Sequence, residues 1–551
     1  TNSIGINYGF KIGTNGFLNI STFYLKQAET NRADNYTGNI YSPNQKIEDS
    51  TRLARKVYPI GNTFKANIYG LNRVEAGQFF YNFDKSIYEN WHLYSFGGYS
   101  NRYITSWGFL RNAQPTDATS NPTNYPDGYL PILPGQTIDY STVFGIRKIT
   151  KLNWNIDLST SIGENYLDFW AYNSSNPSMG NVSPKNFYLG RTLFNQITNE
   201  LNISKHIHKY WFFNNLNIAT GIQYRIDNFI MFHGDSTSYF AGPLTAINKD
   251  IGATGRPGIS VSNEIDKKRN NTGLYIDLEG EINKKLLLTT AIRYENYSDF
   301  GNNVSFKFAT IYQLNKQIGF RMSINKGFRA PSLQQIYNNQ TTSTAQAGLI
   351  RLTENIRSND PRLSQIGIQY PKPEIAYSYN IGITFKNKGN PALKASIDFY
   401  QINILDRIVI SEILTVKDIP ILANLFPTQK TITFFTNAIN TQTNGVDFIG
   451  NYNINFDKNN ALNINATYTY NQTKISNIIP TPSALLNGIS PTTKVNLFDT
   501  ISIGLIENAQ PNNKWILQLN YTYKRVSVNL KSTYIGAVKT FEKYGGIYRS
   551  Q

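Results

Sequence analysis

Short and long connections alternate along this chain between segments of period-two hydrophobicity, and few folds satisfy both features. Leu274, Ile276 and Leu278 alternate with Tyr275, Asp277 and Glu279, and Val304, Phe306 and Phe308 with Ser305, Lys307 and Ala309. The stretches 377–385, 462–470 and 515–523 repeat the pattern. Alternation of this kind gives a strand one apolar and one polar face. Roughly eighteen such segments can be marked, many about 10–15 residues long. Strands of soluble sheets average about 5 or 6 residues, whereas a tilted bilayer crossing takes about 9–11.

The connections carry the stronger constraint. Short ones fall at 14–16, 149–150, 283–285, 314–317, 387–390, 457–460 and 524–525. Long ones fall at 28–73, 105–136, 171–186, 229–269, 328–373, 412–443 and 476–513. Only the link near Gly301 is short where a long one is due. In an up-and-down meander every second connection lies on the same side, so the long loops share one rim and the tight turns the other. The expectation is an all-β, transmembrane, antiparallel up-and-down β-barrel with short periplasmic turns and long extracellular loops. Trp91, Trp107, Trp154, Trp170, Trp211 and Trp515 all fall at or near segment ends, as interfacial tryptophans do.

Composition agrees with this and excludes other classes. Aromatic residues make up 14% of the chain, mostly Tyr and Phe, which suits strands and interfacial girdles. Mean hydropathy is −0.38 and no apolar run of about 18 residues occurs, so no transmembrane helix is expected. A barrel shows one apolar face per strand and is not excluded by either value. The absence of cysteine rules out disulfides and thiolate metal sites. The net charge of +17 includes no dense basic block; Lys267, Lys268 and Arg269 form the longest run. That reads as a Lys-rich bias over solvated positions, with no nucleic-acid partner expected. The chain begins with Thr and has no signal peptide, so a processed or partial chain is expected.

Candidate chemistry is sparse. Asp277, Glu279 and Glu281 share a strand face with Arg293 opposite, which reads as the wet wall of a wide barrel before it reads as acid–base machinery. His206 and His208 form an H-x-H pair without an adjacent third ligand, so no metal or cofactor is expected. No phosphate-loop, zinc-protease or hydrolase-elbow motif occurs. The long loops hold aromatic and basic residues able to form a binding mouth: Trp107, Phe109, Arg111, Tyr125 and Tyr129; Phe232, His233, Tyr239 and Phe240; Arg351, Arg357 and Arg362. They could stack on and neutralise a ligand, or simply pack the loops together.

One exit from the wall is distinctive. In "INKGFRAPSLQQIY" the alternation stops after Lys326. Gly327 would relax the backbone, and Pro331 cannot donate to a ladder, so a strand end at the outer rim is expected. Gly327, Phe328, Arg329, Ala330, Pro331 and Ser332 closely resemble a barrel motif of TonB-dependent outer-membrane receptors. "GFLNIS" from Gly16, "YENYSDFG" from Tyr294, "KPEIAYSYNIG" from Lys372, "DFYQINILDRIV" from Asp398 and "TNAINTQTNGVDF" from Thr436 resemble the same family in the same order.

The resemblance spans nearly the whole chain. It implies a barrel of about 22 strands around an N-terminal plug. It also implies a Gram-negative outer-membrane location among lipid and lipopolysaccharide. The parent protein would take up a scarce siderophore, cofactor, glycan or peptide when the TonB complex uses the proton-motive force to displace the plug. The chain departs from the full pattern: no plug, no TonB box and no final strands are recognisable. Residues 1–551 are thus expected to be an incomplete barrel domain of about eighteen strands. Other readings are a passive channel or surface-binding barrel without a plug, and an outer-membrane barrel enzyme such as a lipase or protease. No catalytic constellation at the outer rim supports the enzyme.

Overall fold

A computed structural model describes residues 1–59, 64–88, 90–346, 349–387, 389–490, 495–541 and 547–550, with side chains of 343–351 and from 540 onward outside that description. Period-two segments become strands, and 18 of these form the wall. In chain order they are β1 (Asn2–Lys11), β2 (Gly16–Gln27), β3 (Arg73–Tyr88), β4 (Trp91–Trp107), β5 (Ile132–Ile149), β6 (Trp154–Ala171), β7 (Phe187–Tyr210), β8 (Phe213–Phe232), β9 (Ile265–Asn283), β10 (Leu286–Tyr297), β11 (Gly301–Gln313) and β12 (Ile318–Arg329). Two loop strands follow, β13 (Thr341–Gln346) and β14 (Leu349–Ile356). The wall resumes with β15 (Glu374–Lys386) and β16 (Ala392–Ile410). After the short β17 (Leu414–Thr415) come β18 (Thr431–Asp457), β19 (Asn460–Ile478), β20 (Asn513–Tyr523) and β21 (Val526–Ile535). A small separate hairpin, β22 (Val538–Phe541) with β23 (Ile547–Ser550), ends the described chain.

Each wall strand pairs antiparallel with the next, β12 joining β15 and β16 joining β18 across the loop strands. Short and long connections alternate as the sequence implied, with a three-residue link between β10 and β11 as the exception. Among the described residues β1 pairs only with β2 and β21 only with β20, and both edge strands are exposed along their length.

One face of the wall is apolar and open. In register across nine strands lie Leu286, Tyr312, Phe320, Ile383, Ile397, Phe448, Tyr468, Trp515 and Tyr534. Outside lipid so many exposed aromatic and aliphatic side chains would be an aggregation liability, whereas in lipid they meet their preferred solvent.

The opposite face is polar and satisfies itself by side-chain bonds. Arg147 donates to Asp84 through Nη2 at 2.7 Å. Arg321 makes a two-point contact with Asp398 through Nε and Nη2. Asn451, Asn453, Asn463 and Asn465 donate amide to amide across β18 and β19. The acidic trio sits here too: Glu281 accepts from Asn215 at 2.6 Å and Glu279 from Asn217 at 3.2 Å. Arg293 reaches Gln223 and Glu295. These bonds are what a polar lumen wall requires.

The strands run further than the pattern suggested. β18 has 27 residues and starts at Thr431, inside the expected 412–443 loop. At ~3.3 Å per residue that is ~90 Å of strand against a hydrocarbon core of ~30 Å. β12 likewise continues to Arg329, with Gly327, Phe328 and Arg329 in register with Ala376, Ile375 and Glu374. The expected end at Lys326 is therefore corrected. A Cβ on Gly327 would meet nothing within 4 Å, so the residue neither breaks the strand nor is sterically required. The stop comes at Ala330 and Pro331, and Ser332 then caps helix α2 below through a capping box with Gln335.

Candidate functional site at the loop rim

The long connections pack into two bodies over the mouth. Over β2 to β9 the packing is largely polar. Helix α1 (Gln45–Arg55) starts on Asn44, which caps Lys46 and Ile47. Its Glu48 is fully buried and accepts from the N–H groups of Ile40, Tyr41 and Ser42 and from Arg52 Nε. Burial alone would raise this carboxyl, but the four donors reverse that and hold it below its ordinary value. Arg55 grips Asp127 in the next loop and keeps its carboxyl low, with Tyr41 adding a bond of 2.8 Å. Residues 105–131, 172–186 and 233–264 interlock through Asn121, Ser174, Ser175, Asn176 and Thr254.

Over β12 to β20 the packing is apolar. Helices α2 (Leu333–Tyr337), α3 (Pro361–Gln365), α4 (Pro420–Leu425), α5 (Ser483–Leu486) and α6 (Thr500–Glu507) come from three loops. Ile356, Leu363, Ile366, Leu422, Phe426 and Phe434 form the centre of a buried cluster there. β14 runs parallel to the protruding part of β18 and ties the first loop to the second. The two bodies meet through Lys430 on Asp250 at 2.8 Å, Arg256 on Gln340 at 2.6 Å and Arg357 on the Ser262 carbonyl at 3.1 Å. Burial pushes the Arg256 guanidinium down to about 10, and it stacks 3.6 Å from the Phe169 ring centre.

Between α6 and the protruding ends of β12, β15 and β16 lies a cleft of about 700 Å³. Arg329, Glu374, Ala376 and Ile404 line it from the polar face of the wall, so it opens to the lumen side. Phe435, Phe498, Leu505 and Ile506 supply apolar walls. Leu505 is 56% exposed on a helix that carries apolar residues on most sides. Arg329 pairs with Glu374 at 2.6 Å, and Glu374 also accepts the Ile408 N–H at 2.7 Å. Arg407 is different: among the described residues it has no carboxylate partner, and its one hydrogen bond is a 3.5 Å contact with Thr441. An apolar trough with one uncommitted guanidinium suits a ligand with an apolar body and an anionic group.

The residues proposed from sequence divide by burial. Arg111 and Tyr129 bridge antiparallel inside the polar body, 1% and 4% exposed, and present no face to a ligand. Burial pushes the Arg111 guanidinium down. Tyr125 stacks on Tyr129 at 4.1 Å and donates to the Ser174 carbonyl, and burial raises it to about 12. Arg362 is held by Asp360 and covers Phe426 at 4.3 Å. Trp107 ends β4 beneath Arg73. Phe109, Phe232 and Phe240 are exposed; Tyr239 packs edge-on to Phe240 at 5.3 Å, and His233 contacts Glu264 at 2.5 Å. Arg351 lies in β14 with its side chain outside the described part.

The cleft was not among the sequence-derived candidates; the only signal was that the family-like motif ends in Arg329. The His206 and His208 rings meet edge-on at 4.6 Å, with His206 on Asn217 at 2.7 Å. Among the described residues no three His, Asp or Glu groups gather as a metal site.

The family model for TonB dependent receptor-like β-barrels matches residues 80–547. The chain belongs to the TonB-dependent receptor family. Solved receptors share the fold at low identity. The siderophore receptor PirA from Acinetobacter baumannii aligns with TM-score 0.58 and 13% identity over 100% of this chain and 69% of its own. The outer membrane transporter YddB from Escherichia coli gives 0.59 and 9% over 98% and 63%. The RagAB peptide transporter gives 0.57 and 11% over 98% and 62%. This receptor chain thus spans about two thirds of the length of such proteins. No curated protein matches it.

Proposed function

We propose that the parent receptor imports a ligand across the outer membrane of a Gram-negative bacterium. The ligand would be captured at the loop rim and released inward when TonB, driven by the proton-motive force, displaces a plug. Family membership over residues 80–547 is the observation that carries this reading. The mouth cleft is the proposed capture site, with Arg407 facing the anionic part of the ligand and α6 its apolar part. Structural relatives named for siderophores, iron and peptides show how varied the cargo of this scaffold is. No chemistry on the ligand is part of the proposal.

The test uses the full-length receptor in cells supplied with labelled ferric siderophores, oligosaccharides and oligopeptides. Uptake of one class that collapses with an uncoupler and with loss of TonB is expected. Uptake unaffected by either treatment would refute energised import and leave a passive channel.

A further inference from the structure

The nine short turns form a rim of their own, and its charge is lopsided. Within two residues of these turns the sequence has 12 Lys or Arg against two acidic residues, Glu89 and Asp457, a surplus of ten out of the chain's +17. Lys11, Lys151, Lys209, Lys284, Lys316 and Lys458 each come from a different turn and are all exposed. None of the six is ion-paired with a described residue. The lumen arginines Arg293 and Arg321 are both paired. Ten of the seventeen surplus charges are therefore gathered at one rim, mostly on exposed positions.

The neighbours of these lysines indicate what they face. Lys148 is in register with Trp91 and Lys205 with Trp154, on the strand face that carries the exposed Leu93 and Leu158. Their ammonium groups lie 4.6 and 4.9 Å from the indole centres. The turns themselves expose Leu152 and Trp211, at 72% and 86%. Indoles and aliphatic side chains at the same level as lysines are the pattern of a membrane interface, where the ring enters the acyl boundary and the ammonium snorkels to the headgroups. An acidic protein docking from below would meet the turn tips but not the outward row that holds Lys148 and Lys205. We propose that the short-turn rim binds anionic phospholipid headgroups of the periplasmic leaflet through their phosphodiesters. The lysine belt fixes the depth of the barrel in that leaflet.

The experiment is lipid selectivity of the full-length receptor in phosphatidylcholine vesicles, read as the immobilised fraction of spin-labelled phosphatidylglycerol against spin-labelled phosphatidylcholine. A preference for phosphatidylglycerol of up to about fivefold is expected, the factor that one basic residue near an anionic surface supplies, and it should shrink at high salt. The combined variant K148Q, K151Q, K205Q and K284Q should lose most of it, while the four Lys→Arg changes should keep it. Heat-modifiable migration of both variants confirms that each barrel is folded. Equal association of the two lipids, or a preference that survives the Gln variant, would overturn the proposal. Neither result depends on whether the receptor imports its ligand through TonB.

Discussion

Adjacent residues on β11 should differ sharply in their tolerance of charge. Phe308 is 41% exposed on the apolar face, opposite Thr290 and Ile324, near the middle of a 13-residue strand. Ala309 points the other way, opposite Thr289 and Ser323, on the face that already carries Lys307. Placing Arg at the bilayer midplane of a barrel costs ~2–4 kcal/mol. Losing the aromatic contact with β-branched Thr290 and Ile324 adds up to ~1 kcal/mol. Phe308→Arg should therefore cost ~3–5 kcal/mol, and Ala309→Arg, which ends in water beside polar groups, about 0–1 kcal/mol. Reversible urea unfolding of the full-length receptor in lipid vesicles, followed by tryptophan fluorescence, measures both. Equal costs, or a larger cost for Ala309→Arg, would mean that the faces are assigned wrongly, and the lumen and lipid sides argued above would fall together.

The remaining expectations concern the rim. Glu48→Gln removes the charge that three backbone N–H groups and Arg52 share, so the segment around α1 should open by about 1–3 kcal/mol. Amide exchange over residues 38–59 reads that opening, and unchanged protection would contradict the assigned role. Asp127 is held below its ordinary carboxylate value by Arg55. Its stabilising contribution is full above the unfolded value of about 4 and is lost as pH falls through the lower folded value, so nicking of loop 28–72 by an acid-active protease should rise only below about pH 4. Phe426→Ala empties the centre of the apolar loop body and should lower its stability by ~3–5 kcal/mol, seen as early loss of protection in α4 while the wall strands stay protected. Arg407→Ala should weaken ligand capture about tenfold or more, with barrel folding unchanged, in the uptake assay that identifies the ligand.

What the sequence could reveal followed from where one force dominates. In the wall, lipid on one side and water on the other impose a strict period of two, so residues such as Phe306, Lys307 and Phe308 declare their faces without help from distant parts of the chain. Turn length then fixes which rim each connection belongs to. Past the bilayer that pressure ends. β18 continues beyond Thr443 to Thr431 among loop segments, where Ile432 and Phe434 face a protein core, and TITFFT reads as an ambiguous apolar run. β14 joins β18 in parallel across most of a hundred residues of chain, a pairing that no local pattern encodes.

The same reasoning explains why the rim candidates divided. Aromatic and basic residues in long loops fit a binding mouth and a packed loop body equally well, because both use cation–π contacts and buried tyrosines. Only tertiary structure separates Arg111, sealed beside Tyr129, from Arg407, left with a single long contact at the edge of an apolar trough. The bulge at Asp406, which has a φ of 54° and shifts the register between Ile404 and Arg407, bends β16 there. The extra residue on β16 is answered by one on β18, so the register returns at Ile408 and Asn437 and only the side chain between is re-aimed, a local shift that period-two reading cannot follow. Arg407 follows directly. Its position at the cleft is therefore a property of the irregularity: Asp406→Val, whose branched side chain disfavours the positive φ, should flatten the bulge, pair residue 406 with Ile439 and turn Arg407 to the face of Leu405, out of the cleft. Ligand capture should then fall as far as in Arg407→Ala, although the guanidinium is still present. Capture that survived Asp406→Val would show that charge near the rim suffices and that the geometry of the cleft does not matter.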